Sequence, residues 1–359
     1  MTPADLITLR LINQKLVNSN FEKPENVVSW FGAMQSQDFA AAKWALSLRT
    51  NYKADREIES MFNQGKILRT HVMRPTWHFV APNDIRWLLA LTSENVKRFN
   101  GNYFRRSGYD REVFKKSNTV IRKALEKNGF MTRNELKLAL EKSKIPLNSL
   151  GLSFVMMQAE LEGIIISGPK RDKQFTYALL KKRAPKAFYL EHEEALKELV
   201  KRYFQSHGPA QIQDFVWWSG ISAAKAKKEI EKSAHKLKKA DINGKDYFYL
   251  EPAMKIPNII DTAYLIPGFD EYFIAYRDRT EILDQNYAKH LNLGGGMING
   301  AVIVNGRMVG TWKRLIVKNE AKITIILFEK ISNPQTEALN NQALKYGNFV
   351  GLPVTTNYE

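Results

Sequence analysis

The order of predicted elements in the middle of the chain constrains the fold most, because the same order occurs twice. Within residues 111–185, Ser117 is predicted to cap a helix that ends at Gly129. Thr132 and Glu135 form a capping box for a second helix, and a third helix and a β-hairpin with a basic turn follow. Three short helices and then a hairpin are typical of a winged helix-turn-helix module, whose third helix and hairpin usually contact DNA.

Residues 186–258 repeat this order. A helix with one apolar face is followed by a Gly-Pro pair and a second helix. A third, lysine-rich helix begins at Ser222, and the dipeptide Asn243-Gly244 predicts the tight turn of a closing hairpin. Two copies of one supersecondary unit indicate tandem winged-helix modules, and a set of unrelated helical pieces is the alternative.

The two ends of the chain complete a division into four parts. Residues 1–110 are predicted to form a third, more degenerate winged-helix-like module, with a hairpin over 68–80 and a last helix over 85–91. Residues 259–359 change to strand patterns and predict a β-rich C-terminal domain. The predicted fold class is therefore α+β, mainly α with β-hairpins, built from tandem winged helix-turn-helix modules and this β-rich domain.

Basic charge is concentrated in the middle of the chain. The net charge is +17, and residues 101–250 alone hold 30 basic and 17 acidic side chains, whereas 251–359 hold 11 of each sign. This asymmetry predicts an electropositive face that neutralises the phosphates of double-stranded DNA; a solvated lysine-rich surface is the alternative. The candidate DNA-binding residues of the two clear modules are Lys170, Arg171, Lys225, Lys227 and Lys228.

Several classes of protein are excluded by what the sequence lacks. It has no cysteine, which removes disulfides, thiolate nucleophiles and Cys-ligated metals. The histidines lack metal-ligand spacing, and no P-loop, HExxH or GxSxG motif occurs, so no metal and no cofactor is expected. No window of about 18 apolar residues predicts a membrane span, and the N-terminus is typical of a helix rather than a signal peptide. A monomer in the cytoplasm, associated with the nucleoid, is expected.

Two glutamines that are separated by one residue lie in the first half of the 1–110 module. Gln35 and Gln37 would point roughly 200° apart in a regular helix, but Asp38 is a good N-cap for the helix that follows. The pair is therefore predicted to lie at a junction between two helices, where both amides could converge on one pocket. The alternative is that the two amides cap unpaired backbone groups at this junction.

Segments spread over nearly the whole chain resemble the AlkZ/YcaQ-like DNA glycosylases, and they occur in the order of that family. The segment 33–38, Ala-Met-Gln-Ser-Gln-Asp, resembles the family's glutamine motif, with Ser36 where an aliphatic residue or alanine is usual. The segment 69–80 resembles the family's β-hairpin. The segments that resemble its C-terminal signatures are 267–272, 276–279, 295–299 and 309–314.

This resemblance implies a function and a set of site residues. It implies tandem winged helices wrapped around duplex DNA, and a monofunctional DNA glycosylase that hydrolyses the N-glycosidic bond of bulky or cationic N7- and N3-alkylpurines. In some members it implies unhooking of interstrand crosslinks. Gln35 and Gln37 would be the catalytic residues that position the attacking water. The alternative is a non-catalytic winged-helix regulator or architectural protein, because charge and repeats fit both functions equally.

The predicted hairpin adds candidate groove contacts. Arg74, Trp77 and His78 lie where a hairpin could enter a DNA groove, as arginines and aromatic wedges do elsewhere. Core packing is the alternative for Trp77, and a hydrogen-bonded structural role is the alternative for His78. Asp270 and Glu271, with Arg277 as their partner, are interpreted as a structural salt-bridge corner rather than as a catalytic acidic cluster.

Overall fold

The winged-helix order occurs three times in the structure. The computed structural model describes residues 1–148, 150–233, 235–251, 256–257, 259–294 and 297–359. Each copy has a helix, a short strand or bridge, two further helices and a hairpin, and the short segment pairs with the second strand of that hairpin. The predicted α+β class with tandem winged-helix modules is therefore confirmed. A first helix, α1 (Pro3–Asn13), precedes the copies.

The first copy contains the two glutamines and their hairpin. Its elements are α2 (Pro24–Phe31), β1 (Ala33–Gln35), α3 (Phe39–Ser47), α4 (Asp55–Gln64), β2 (Leu68–Val72) and β3 (Arg74–Val80). Asp38 caps α3 as predicted, by accepting a hydrogen bond of 3.0 Å from the N–H of Ala41. The junction between α2 and α3 also contains the strand β1, which at three residues is too short for a hydrophobic period to reveal.

The helix after the first hairpin is much longer than the predicted 85–91. It is α5 (Ile85–Arg106), and its second half carries the buried side chains of Val96 and Phe104. Phe104 packs against Phe154 in the core of the second copy, with ring centroids 4.7 Å apart. Because these apolar residues are widely spaced among polar ones, the periodic signal is weak, and tertiary packing extends the helix.

The second copy follows the predicted order, with one wrong boundary. Its elements are α6 (Arg111–Asn128), β4 (Met131–Thr132), α7 (Arg133–Lys142), α8 (Gly151–Leu161), β5 (Ile165–Ser167) and β6 (Thr176–Leu179), followed by the short α9 (Leu180–Arg183). The capping box of Thr132 and Glu135 is confirmed. Ser117 is not the cap of α6: Asp110 is, and the Ser117 hydroxyl donates within the helix to the carbonyl of Val113.

The third copy also matches its prediction. Its elements are α10 (His192–His207), α11 (Ile212–Ser219), α12 (Ala223–Lys232), β7 (Lys238–Ile242) and β8 (Lys245–Tyr249). The hairpin turns at Asn243 and Gly244, whose φ angles of 54° and 75° are those of the predicted tight turn. A bridge between Ala210 and Phe248 replaces the short strand of the other two copies.

The C-terminal region is built on a five-stranded sheet and one long helix. Its elements are β9 (Ala263–Ile266), α13 (Glu271–Ile274), a 3-10 helix (Gln285–His290), β10 (Asn292–Gly294), β11 (Met297–Ile298), β12 (Gly300–Val304), β13 (Arg307–Val317), β14 (Glu320–Leu327), α14 (Asn333–Val350) and β15 (Val354–Tyr358). The strands of the sheet follow the order β15-β14-β13-β12-β9, and a turn at Asn305 and Gly306 joins β12 to β13.

The largest hydrophobic core joins the two ends of the chain. It combines apolar side chains of α1 to α4 with those of the C-terminal sheet and α14. Trp44 of α3 illustrates the contact, because its ring packs on Tyr346 and its indole N–H donates to the carbonyl of Leu265 at 2.8 Å. This packing fixes the loop between β1 and α3 relative to the short helix α13, which is how distant residues come to share one site.

Candidate active site and nucleic-acid interface

The first hairpin sheet positions both glutamines. The register places Gln35 opposite His78 on β3, and Thr70 of β2 opposite the same histidine. Because cross-strand partners project from the same face, these three side chains share one face of the sheet. Gln37 follows β1 by two residues, in a loop that is held to the hairpin by a 2.7 Å hydrogen bond from the N–H of Ser36 to the carbonyl of Trp77.

Gln35 is buried and is held by two other parts of the site. Its backbone N–H donates to Oε1 of Glu271 at 2.6 Å, and its side-chain oxygen accepts from Nη2 of Arg74 at 3.1 Å. Burial lowers the pKa of the Arg74 guanidinium, and Nε of Arg74 has no partner among the described residues. The first glutamine therefore links the hairpin to α13, and its amide nitrogen is the group that it can offer a ligand.

Gln37, in contrast, is exposed. Its side-chain oxygen accepts from the backbone N–H of Trp77 at 3.3 Å. Arg69 holds the loop in place, because its guanidinium donates hydrogen bonds to the carbonyl of Ser36 at 3.0 Å and to that of Gln37 at 3.3 Å. Burial lowers the pKa of Arg69 to about 10, so this clamp is still protonated at neutral pH. Ser36 itself is fully buried, and its hydroxyl has no partner among the described residues.

The three predicted groove contacts lie in different environments. Arg74 and Trp77 are half-buried, and the Trp77 ring lies 4.4 Å from the Arg69 guanidinium and 4.1 Å from the ring of His71. His78 is fully buried, its Nδ1 lies 2.8 Å from the carbonyl of Thr76, and its Nε2 has no partner in the described chain. Contact of His78 with a DNA groove would require the hairpin to move, so its role there stays a prediction.

Burial of His78 predicts a pH dependence of stability. Burial, followed by the charge of Arg74, lowers the pKa of His78 to about 3. Below pH 6.5 the unfolded chain therefore binds a proton that the folded chain does not, and the free energy of unfolding falls as the pH falls. For this residue alone we expect a loss of about 2 kcal/mol between pH 7 and pH 5.

Urea denaturation at several pH values measures this loss. The variant His78→Gln should show a flatter profile between pH 7 and pH 5 than the wild type. Some slope should remain, because burial also lowers the pKa of His207. Identical profiles for variant and wild type would show that the pKa of His78 is the same in the folded and the unfolded chain.

The predicted phosphate ligands lie on the surface, in two groups. Lys225, Lys227 and Lys228 are exposed on α12, the third helix of the third copy. Arg171 is exposed at the turn of the second hairpin and lies 2.7 Å from Glu135. Lys170 differs, because its ammonium lies 3.0 Å from a carboxylate oxygen of Glu59 on α4. That ion pair joins the second hairpin to the first copy, and DNA binding by Lys170 stays a prediction.

The acidic corner at the start of α13 has a different ionic partner from the predicted one. Asp270 pairs with Arg49 through two contacts of 2.8 Å, and both side chains are fully buried. Arg277 instead points its guanidinium towards Gln213, at 3.5 Å. The sequence analysis missed Arg49, and no local signal marks it, since 221 residues separate it from Asp270.

Glu271 was also missed as a neighbour of the glutamines. Besides Gln35, its carboxylate accepts from the indole N–H of Trp218 at 2.9 Å and lies 3.4 Å from Nε2 of His207. Burial alone would raise the pKa of Glu271, but His207, Arg74 and the Gln35 N–H outweigh it, so the pKa lies below its ordinary value. The group is therefore a structural anion, which joins the first copy, the third copy and α13.

The side chains of this site can orient a water molecule, but they do not include an accessible strong acid or base among the described residues. Gln35 and Gln37 supply amides that donate and accept hydrogen bonds. Glu271 is shielded from solvent, and the residues that the structure describes include no group of three or more His, Cys, Asp or Glu that could hold a metal. Among the same residues, no helix is long and apolar enough to span a membrane.

Fold and site together define a class: a tandem winged-helix protein with a polar site anchored to its first hairpin. The model of the family described as DNA glycosylase AlkZ-like matches residues 28–349. A curated relative, the interstrand DNA cross-link repair glycosylase of Streptomyces sahachiroi, is 24% identical over 335 residues, in an alignment that covers 89% of this chain and 87% of the relative. The solved structure of the Streptomyces sahachiroi DNA glycosylase AlkZ aligns with a TM-score of 0.83 at 21% identity, over 99% of each chain.

The chain belongs to the DNA glycosylase AlkZ-like family. The predicted resemblance is thereby confirmed, and the protein is an enzyme, a DNA glycosylase. Of the segments that resemble the family's C-terminal signatures, 267–272 contains the acidic corner, and 276–279, 295–299 and 309–314 follow it along the chain. Two residues of one signature, Gly295 and Gly296, lie outside the residues that the structure describes.

Proposed function

We propose that the enzyme hydrolyses the N-glycosidic bond of bulky or cationic N7- and N3-alkylpurines in double-stranded DNA, and that it acts as a monomer. One observation carries the proposal: Gln35 and Gln37 are both hydrogen-bonded to the first hairpin, and Gln37 is exposed beside it. A hairpin that enters a groove would bring this amide close to the sugar of a damaged nucleotide. The printed name of the curated relative extends the proposal to interstrand crosslinks.

The proposed mechanism needs the protein to position a water molecule and to stabilise a positively charged sugar. An alkylated purine that carries a positive charge is a good leaving group, so no strong general acid is needed. The Gln35 amide nitrogen and the Gln37 side chain hold the attacking water, and the exposed Gln37 oxygen, which accepts one hydrogen bond from Trp77 and keeps a second lone pair, faces the positive charge that develops on the sugar. Such a lesion is also poorly stacked, which lowers the free energy needed to reach it.

The alternative of a non-catalytic regulator is not favoured, because the family model is that of a DNA glycosylase. The direct test is incubation of the purified protein with a duplex that contains a single N7-methylguanine. Alkali then cleaves the strand at each abasic site, and the products are separated by size. We expect cleavage at the lesion only. Intact strands at saturating protein, both with this duplex and with one that contains a bulkier N7-alkylguanine, would overturn the proposed function.

Binding to duplex DNA is expected to be electrostatic and mainly independent of sequence. Replacement of Lys225, Lys227 and Lys228 by Gln should flatten the plot of log K against log salt concentration by roughly 0.9 for each lost phosphate contact. The basic excess in residues 101–250 motivates this expectation. Fluorescence anisotropy at several salt concentrations measures the slope.

A matched control removes the same charge from the C-terminal region. Lys318, Lys322 and Lys330 are also exposed, and the region that contains them has no net charge. Their replacement by Gln should leave the salt slope unchanged. Equal slopes for both triple variants would show that α12 does not meet DNA.

A further inference from the structure

A cavity of about 710 Å³ separates the first hairpin from the second winged helix. One wall comes from β2 and β3 of the first copy, and the other comes from α7, α8 and the second hairpin. Two lining residues join the copies, because the backbone N–H of Arg69 donates to the hydroxyl of Ser167 at 2.8 Å. The cavity therefore has walls from two packed modules.

Its lining combines flat aromatic faces with cations. Hydroxyl and amide side chains complete the walls, and none of the described lining residues carries a carboxylate. Aromatic faces stack on planar groups, and guanidinium and ammonium groups donate hydrogen bonds without accepting any. The aromatic lining residues are Trp77, Phe175 and Tyr177, and the cationic ones are Arg69, Arg133 and Lys173.

The cavity lies directly beside the exposed glutamine. Two of its lining residues hydrogen-bond Gln37: Trp77 donates to the side-chain oxygen and Arg69 donates to the carbonyl, each at 3.3 Å. A base whose sugar lies at Gln37 is therefore next to the mouth of the cavity. A methyl group on that base would leave the cavity empty, whereas a large substituent could enter it.

We propose that this cavity is a subsite for the substituent that a bulky adduct places on the alkylated base. The proposal rests on the proposed function, because it takes Gln37 as the position of the reacting nucleotide. Its aromatic and cationic lining favours planar groups that are uncharged or anionic. A cationic substituent would meet Arg69, Arg133 and Lys173 and would be disfavoured.

The test compares two lesions in the same duplex, N7-methylguanine and N7-(2-naphthylmethyl)guanine, by single-turnover release. Leu152, half-buried on α8, lines the cavity, so Leu152→Trp should narrow the space that is left for a large substituent. We expect the ratio of the naphthylmethyl rate to the methyl rate to fall by about tenfold or more. Leu138→Trp is the matched control, because Leu138 is exposed on α7 outside the cavity, and it should leave the ratio unchanged.

The possible outcomes separate the subsite from the proposed function. An unchanged ratio in Leu152→Trp overturns the subsite, and so does a wild type that releases methylguanine but not the naphthylmethyl adduct. Release of neither base by the wild type overturns the proposed function and the subsite with it. Should Leu152→Trp melt below the assay temperature, the same measurement is made with Gln174→Trp, which narrows the cavity from an exposed position on the second hairpin.

Discussion

Gln37→Ala is expected to slow single-turnover release of N7-alkylguanine by roughly 10- to 100-fold, less than the factor of about 10²–10³ lost with one oxyanion-hole donor. The effect is smaller here because the cationic base departs readily by itself. DNA affinity and melting temperature should stay near those of the wild type, since the side chain is exposed and makes one long hydrogen bond. Gln37→Asp should keep part of the activity, because a carboxylate also stabilises a positively charged sugar.

Gln35 needs a different variant, because it is buried. Gln35→Ala removes the acceptor of the Arg74 guanidinium, so it is expected to lower stability as well as the rate. Gln35→Glu keeps an acceptor for Arg74 and removes the amide nitrogen, which separates the two effects. Gln64→Ala, at an exposed position on α4, is the matched control. Wild-type rates in Gln37→Ala and Gln35→Glu would assign both glutamines to the structural role of capping the junction.

Asp270→Ala is expected to lower the free energy of unfolding by about 3–5 kcal/mol, because it leaves the Arg49 charge buried without its partner. The hydrogen bonds from Arg49 to the carbonyls of Gln14 and Ala45 cannot replace a carboxylate. Urea denaturation measures the change. The pair of Lys181 and Glu126 is the control: it is exposed, so Glu126→Ala should leave the urea midpoint close to that of the wild type.

A double variant distinguishes a lost ion pair from a lost helix cap. Asp270 also accepts from the N–H of Tyr272, a role that Asn can keep. Asp270→Asn combined with Arg49→Met should therefore be more stable than the sum of the two single changes by about 1–3 kcal/mol. Strict additivity, or a loss below about 1 kcal/mol in Asp270→Ala, would show that water reaches the Arg49 guanidinium.

Local signals in the sequence were enough to predict the order of the elements. The capping box of Thr132 and Glu135, the Asp38 cap and the turn at Asn243-Gly244 act within about four residues, so they can be recognised without knowledge of the fold. The α+β class and the family followed from their order and from the glutamine and hairpin motifs. The hydrophobic period did not reveal elements that are very short, such as β1, or that contain few apolar residues, such as the second half of α5.

The site depended on the tertiary structure. The sequence determined that Gln35 and Gln37 lie at a junction, but not that one is buried against Glu271 and the other exposed beside Trp77. Only the fold determined that Asp270 pairs with Arg49, because a pairing between distant residues leaves no hydrophobic period and no fixed spacing in the sequence. The physical reason is that a buried charged side chain needs an opposite charge or hydrogen-bonding partners, and tertiary packing rather than neighbourhood in sequence decides which residues supply them.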